Sequence, residues 1–292
     1  MSASIYVGFD GSAASSRAVW WALHEGELQH LSVCLVRAYE PPAATMAYGY
    51  GGIATDRFAQ DLIDLEEKDL ADAVASAQAE APSVEVTGTL QMGSASSAIL
   101  RSAEDASLIV LGSRGLGGFR GLLLGSVGQQ VAAHAKAPVV VVRGDSDRDV
   151  SQRVVVAIDG SPASQDAVGF AFEFASRHGL ALHALHAWEF PVFDAPGVTV
   201  PPTMALEEIG DDEIRVTAEA LAGWAEKFPD VRLTSEAVQG SAEQLVVDAS
   251  ANADLLVVGS RGRGGFTGLL LGSVSQAALH HAHCPVVVVR PH

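Results

Sequence analysis

Apolar residues in this chain alternate between two patterns. Short continuous runs, five or six residues long and rich in Val, Ile and Leu, have the length of buried strands; Ile5-Tyr6-Val7-Gly8-Phe9 is the first. Others fall at residues 33–38 and 84–89, at the run closing on Gly112, and at 138–143. Between them the apolar positions recur at helical spacing. Ala18, Val19, Ala22 and Leu23 mark one helix, with Ser12 placed to cap it. A long acidic helix is predicted over 56–80, with Leu62, Leu65, Val74 and Ala77 inward, and a short one over 94–105. Residues 41–55, rich in Pro, Gly and Tyr, read as a mobile loop, and 145–149 as a polar linker.

After the linker the pattern starts again. Val156-Ala157-Ile158-Asp159-Gly160-Ser161 matches the first strand and its exit, Leu185-His186-Ala187-Trp188 the second strand, 191–202 the loop, and 285–290 the last strand. Ile214, Leu221 and Trp224 take over as the apolar set of the long helix. Repetition on this scale predicts two tandem copies of one domain, over 1–144 and 152–292. Strands that are continuous in apolar residues and alternate with helices predict an α/β class, each domain a doubly wound, Rossmann-like parallel sheet covered on both faces. Ligands of such sheets bind beyond the strand carboxyl ends, where strand order reverses. Asp10 and Gly112 both lie at such ends. One shared site requires strands one and four to be neighbours, which predicts the order 3-2-1-4-5 with right-handed crossovers.

The most closely repeated stretch carries the candidate chemistry. Residues 108–127 (LIVLGSRGLGGFRGLLLGSV) and 255–274 (LLVVGSRGRGGFTGLLLGSV) differ only at Ile109/Leu256, Leu111/Val258, Leu116/Arg263 and Arg120/Thr267. Each reads as strand, glycine-rich loop and helix start. Gly112, Gly115 and Gly125, with Gly259, Gly262 and Gly272, can adopt positive φ and place no Cβ between backbone and ligand. Gly125-Ser126 and Gly272-Ser273 open a helix, where free N–H groups and the dipole favour an anion. The pattern suits a phosphate cradle; the alternative is a tight connection whose glycines only make room for packing.

Charge narrows the partners. Eighteen Lys+Arg against thirty-five Asp+Glu give a formal charge of −17, which repels nucleic acid. No apolar run reaches membrane-spanning length and no leader pattern precedes the first strand, so a soluble, cytoplasmic protein without membrane insertion is expected. Cys34 and Cys284 are expected to be buried thiols in a reducing compartment.

D-G-S after strand one, with G-x2-G-x9-G-S after strand four, resembles the ATP-binding branch of the universal stress proteins, in its tandem form. The resemblance covers nearly the whole chain. It implies ATP with Mg2+ as cofactor, and contacts from Gly8, Gly112, Gly115, Gly125, Ser126 and Val127 in the first domain. Their counterparts in the second are Ala157, Gly259, Gly262, Gly272, Ser273 and Val274. It further implies that Asp10 and Asp159 meet the ribose or the metal–phosphate end, and that the backbone near Ala38 and Ala187 meets adenine.

Arg114 and Arg261 are as readily solvent-facing as phosphate-binding, and Arg120 is a weak ligand because Thr267 replaces it. His280, His281 and His283 with Cys284 read as a helix end carrying imidazoles rather than a metal site. Three functions fit: an ATP-dependent regulator with a protein partner still to be identified, a slow ATP hydrolase, or a chaperone-like module with vestigial sites. The absence of a G-x4-G-K-[ST] lysine and of a convincing base argues against efficient catalysis. The Val139–Val142 and Val286–Val289 runs, placed at sheet edges by the predicted order, suggest intrachain domain pairing and a homodimer.

Overall fold

The computed structural model describes residues 4–40, 52–116, 124–143, 151–189, 203–263 and 270–291. The predicted linker, the greater part of the two predicted loops, and Arg120 and Thr267 lie outside the described residues. Two compact units make up the chain, Met1–Val142 and Arg143–His292. The first comprises β1 (Ser4–Gly8), α1 (Ala13–Gln29), β2 (Ser32–Tyr39), α2 (Gly52–Glu80), β3 (Val86–Met92), α3 (Ala95–Ser102), β4 (Leu108–Gly112), α4 (Ser126–His134) and β5 (Val139–Val142). The second repeats the series with β6 (Arg153–Ile158), α5 (Pro162–His178), β7 (Ala181–Trp188), α6 (Thr203–Lys227), β8 (Leu233–Gln239), α7 (Ala242–Ala249), β9 (Leu255–Gly259), α8 (Ser273–His281) and β10 (Val286–Val289).

In the first unit the strands run β3-β2-β1-β4-β5, all parallel. In the second they run β8-β7-β6-β9-β10, the same 3-2-1-4-5 order. Val7 pairs with Val110, and Val156 with Val257, so each D-G-S turn leaves its sheet beside the start of a glycine loop. The central strands are buried on both faces, which is why they read as unbroken apolar runs.

Helix starts follow their caps. Ser12 Oγ accepts the Ser15 N–H at 3.1 Å, and Ser161 Oγ the Ser164 N–H at 3.2 Å. Helix α1 ends at His30 and α5 at Gly179, each in the left-handed region.

Several expectations change. β3 starts at Val86 instead of residue 84, because the Val84 N–H turns back to the Ala81 carbonyl, and it continues to Met92 opposite Tyr39. Helix α2 begins at Gly52, inside the predicted loop. Leu65 is 54% exposed, not inward; it lies about 140° around the helix from Leu70, which is buried. Ile214 shares a face with buried Leu221 yet is 55% exposed. On that part of α6 the inward places go to Glu213, which bonds His186 of β7, and to Thr217, which is 2% exposed. Cys284 is buried, but Cys34 is only half-buried.

Candidate functional site

The first-unit site grows out of the turn after β1. Gly11 has φ 80°, a left-handed value that lets the chain reverse from β1 into α1; Gly160 does the same at 73°. That reversal aims the Asp10 carboxylate across the sheet ends. Its Oδ1 accepts the Ser12 N–H at 3.0 Å and its Oδ2 the Leu116 N–H at 2.9 Å. The carboxylate therefore ties the glycine loop to a turn 106 residues earlier. In the second unit Asp159 accepts the Ser161 N–H at 2.9 Å and the Arg263 N–H at 2.8 Å, the same brace.

The three glycines of each loop have different physical reasons. None of Gly112, Gly115 and Gly125 has positive φ, so conformational freedom, one of the two reasons expected for them, is not what they supply. A Cβ on Gly112 would stand 2.6 Å from the backbone carbonyl of Ala14, and one on Gly259 2.9 Å from Ala163 C, so these admit the helix against the strand end. A Cβ on Gly115 or Gly262 would overlap the bracing carboxylate. Around Gly125 the nearest atom is 3.7 Å away. Gly125 and Gly272 serve instead as side-chain-free caps of α4 and α8, leaving the first N–H groups of those helices without a capping oxygen. Their own N–H groups close the loops onto the Ser113 carbonyl at 2.9 Å and the Ser260 carbonyl at 2.8 Å.

In the first unit these parts enclose a cleft of about 560 Å³, whose walls include Gly8, Asp10, Ala38, Gly112, Gly115, Gly125, Ser126 and Val127. All eight first-domain residues singled out from the sequence meet there. Arg114 joins the wall, together with residues the sequence did not flag: Ala95 and Ile99 of α3, and Leu111 and Leu124. The last four add aliphatic side chains to a wall that also carries backbone, glycine and serine. In the second unit Ala157, Asp159, Ala187, Gly259, Gly262, Gly272, Ser273 and Val274 hold the corresponding places at strand ends and helix start.

Packing explains why Gly8 is replaced by Ala157. A Cβ on Gly8 would stand 2.6 Å from Leu111 and 2.8 Å from Ile99. Val258 and Val246 occupy those two places in the second unit, each one methylene smaller. The extra methyl and the two lost methylenes offset each other, as close packing requires.

Charge at the turn is also set locally. Burial pushes the Asp10 carboxyl up, but hydrogen bonds from Ser12, Leu116 and Ser15 outweigh it and hold the group below its ordinary range. Asp159 follows the same pattern with Ser161, Arg263 and Ser164. A folded pKa below the unfolded one means the unfolded chain takes up protons first. The brace's contribution is therefore whole above the ordinary aspartate value of 3.8 and is lost as pH falls through the lower folded values. The urea midpoint of an Asp10→Asn plus Asp159→Asn chain is expected to change less between about pH 5 and about pH 3 than that of the parent. Equal changes in the two proteins would refute the linkage.

The two sites are not copies in every atom. Where Ser96 donates to Gln130 in the first unit, Glu243 stands in the second, and hydrogen bonds from Ser273 and Ser241 lower its carboxyl pKa. Among the described residues no group of three or more His, Cys, Asp and Glu side chains is arranged to hold a metal ion, which covers the His280–Cys284 cluster. No helix of the described residues is long and apolar enough to cross a membrane.

Comparison with known proteins places this arrangement. The sequence model of the universal stress protein family matches residues 1–143 and again 151–290. A universal stress protein of Mycolicibacterium smegmatis is 36% identical over 98% of this chain and 97% of its own length. Universal stress protein Rv2623 of Mycobacterium tuberculosis is 38% identical over 99% of this chain and 97% of its own. Among solved structures, a universal stress protein from Archaeoglobus fulgidus superposes with TM-score 0.68 at 20% identity, covering 99% of this chain and 96% of that one, a likeness of fold.

Proposed function

The chain belongs to the universal stress protein family, and from that premise we propose that each of its domains binds ATP together with Mg2+ and that the protein acts as a nucleotide-dependent regulator in a stress response. The observation that carries this reading is the single cleft lined by all eight first-domain residues, which come from β1, β2, β4, the glycine loop and α4. Its volume of about 560 Å³ falls in the range of small-molecule sites, roughly 300–1,000 Å³. The donor set suits a nucleotide. Open N–H groups at the start of α4, the Ser126 hydroxyl and Arg114 face the phosphate end. Ala38, at the end of β2, offers backbone to a base, and Ile99 and Leu111 supply the apolar wall beside it.

In this reading Gly115, Gly125, Ser126 and Val127 hold the phosphates, with Gly262, Gly272, Ser273 and Val274 doing so in the second domain. Gly112 and Gly259 let the loop sit close to α1 and α5. Asp10 and Asp159 remain anionic and orient the loop while facing the ribose or the metal–phosphate end. Mg2+, when bound, would offset phosphate charge beside these carboxylates. Two features support slow turnover. Asp10 is the one carboxylate among the described residues that line the first cleft, and each of its oxygens already accepts an N–H. Its lowered proton affinity makes it a poor general base.

Protein purified without added nucleotide, denatured and analysed by mass spectrometry is expected to release ATP at up to two per chain. Turnover of added ATP should fall well below the roughly 1–100 s⁻¹ of dedicated phosphoryl-transfer enzymes. Release of ADP alone, with turnover in that range and dependent on Asp10 and Asp159, would make the protein an ATP hydrolase instead. A chain that emerges empty and ignores added ATP would leave an interaction module.

A further inference from the structure

The two glycine loops differ at one described position inside the cradle, where the first has Leu116 and the second Arg263. Both backbone N–H groups make the same bond to the bracing aspartate, so the two side chains start from equivalent points. Leu116 is 75% exposed and adds no charge. The Arg263 guanidinium folds over the Asp159-Gly160 turn, with Cζ 2.8 Å and Nε 3.2 Å from where a Cβ on Gly160 would stand. Gly160 is a glycine for its positive φ, and the exposed guanidinium rests on it.

The first turn has a cation of its own, but one already neutralised. Arg37 of β2 brings Nη1 3.6 Å from where a Cβ on Gly11 would stand. That guanidinium is ion-paired to Glu66 through Nε and to Asp69 at 3.3 Å, and it lies over the Phe9 ring. In the second unit the matching β2 residue is His186, which bonds the Ile158 carbonyl at 2.6 Å and Glu213 at 2.8 Å. No ion pair to Arg263 is made by a described residue. The Asp159-Gly160 turn therefore carries a guanidinium that no described residue ion-pairs, whereas the cation at the Asp10-Gly11 turn is paired; Arg114 and Arg261 are common to both loops, so Arg263 is the difference between the sites. Glu243, the acid added in the second unit, is bonded at Ser273 and Ser241 on the α7–α8 side.

We propose that the two nucleotide sites balance phosphate charge by different means: the first needs a divalent cation, whereas Arg263 serves as the resident cation of the second and makes its binding independent of metal. This rests on the ATP reading above. A planar guanidinium offers paired N–H donors to phosphate oxygens and stays charged at any working pH. Set next to an aspartate, it also disfavours a divalent ion in the same place through like charge. The consequence for a regulator is that the two domains report different things, one MgATP and the other ATP irrespective of free magnesium.

Calorimetric titration of the full chain, freed of bound nucleotide, tests this with ATP plus Mg2+ and with ATP plus excess EDTA. Two sites are expected with Mg2+ and one in EDTA. Arg263→Leu, which installs the first domain's residue, should weaken the EDTA-resistant site roughly ten- to hundredfold, the worth of a hydrogen bond to a charged group. Its MgATP sites should both remain. Leu116→Arg should create a second EDTA-resistant site. Both positions are exposed, so the variants are expected to fold. Two sites or none for the parent in EDTA, or an EDTA-resistant site unchanged in Arg263→Leu, would overturn the proposal while leaving the ATP reading intact. No binding even with Mg2+ would overturn the ATP reading, and this proposal with it.

Discussion

Gly115→Val is expected to halve the nucleotide stoichiometry, from two per chain to one, without unfolding either domain. The cause is local. Any Cβ at residue 115 overlaps the Asp10 carboxylate, which is held by the Ser12 and Leu116 N–H groups and cannot swing aside without releasing one of them. The loop must then lift from its brace, and the isopropyl group enters the space between Asp10 and the start of α4. Gly115 is exposed, so no core is disturbed. The second domain has its own brace, Asp159 to Arg263, and should bind as before. Calorimetry in MgATP reads the outcome directly; two equal sites in the variant would exclude this cleft as the first nucleotide site.

Gly112→Ala is expected to act on stability instead, lowering that of the first domain by about 2–3 kcal/mol, the upper part of the range for overpacking. The added methyl meets the Ala14 carbonyl at 2.6 Å and the Ser15 nitrogen at 2.9 Å, atoms of the first turn of α1. Backbone cannot rotate away as a side chain can, so α1 must shift against β4. Gly125→Ala is the matched control. Its φ of −75° and ψ of 152° suit any residue, and the nearest atom to the new methyl is 3.7 Å away. Its stability cost should stay within about 1 kcal/mol, the scale of a changed helix cap. Urea unfolding of the two variants side by side measures the contrast. Equal midpoints would show that Gly112 is not kept small by α1.

The pattern of residues alone determined the tandem repeat, the parallel sheets and, by requiring Asp10 and Gly112 to share one end of the sheet, the order 3-2-1-4-5. These properties follow from periodicity and from rules of chain connection, both of which are local or topological. It also brought Asp10, the loop glycines and Ser126 to one end of the sheet, because a motif at a strand end must face the reversal point. What each of them touches was decided only in three dimensions. Three glycines that look alike in the sequence separate into one that admits a helix, one that clears a carboxylate and one that leaves a helix start uncapped. The difference lies in atoms contributed from Asp10 and Ala14, at the other end of the domain's sequence. The exchange of Gly8 for Ala157 made sense only beside Ile99 and Leu111 on one side and Val246 and Val258 on the other. Leu65 and Ile214 satisfied helical spacing without being buried, since spacing permits more than one face and only the packed sheet shows that Leu70 and Thr217 take the inward places. Arg263 was one substitution among four in an otherwise matched stretch. Its place over the Gly160 turn depends on the path of the folded loop, along which no described residue draws it into an ion pair, and that is not written in the order of residues.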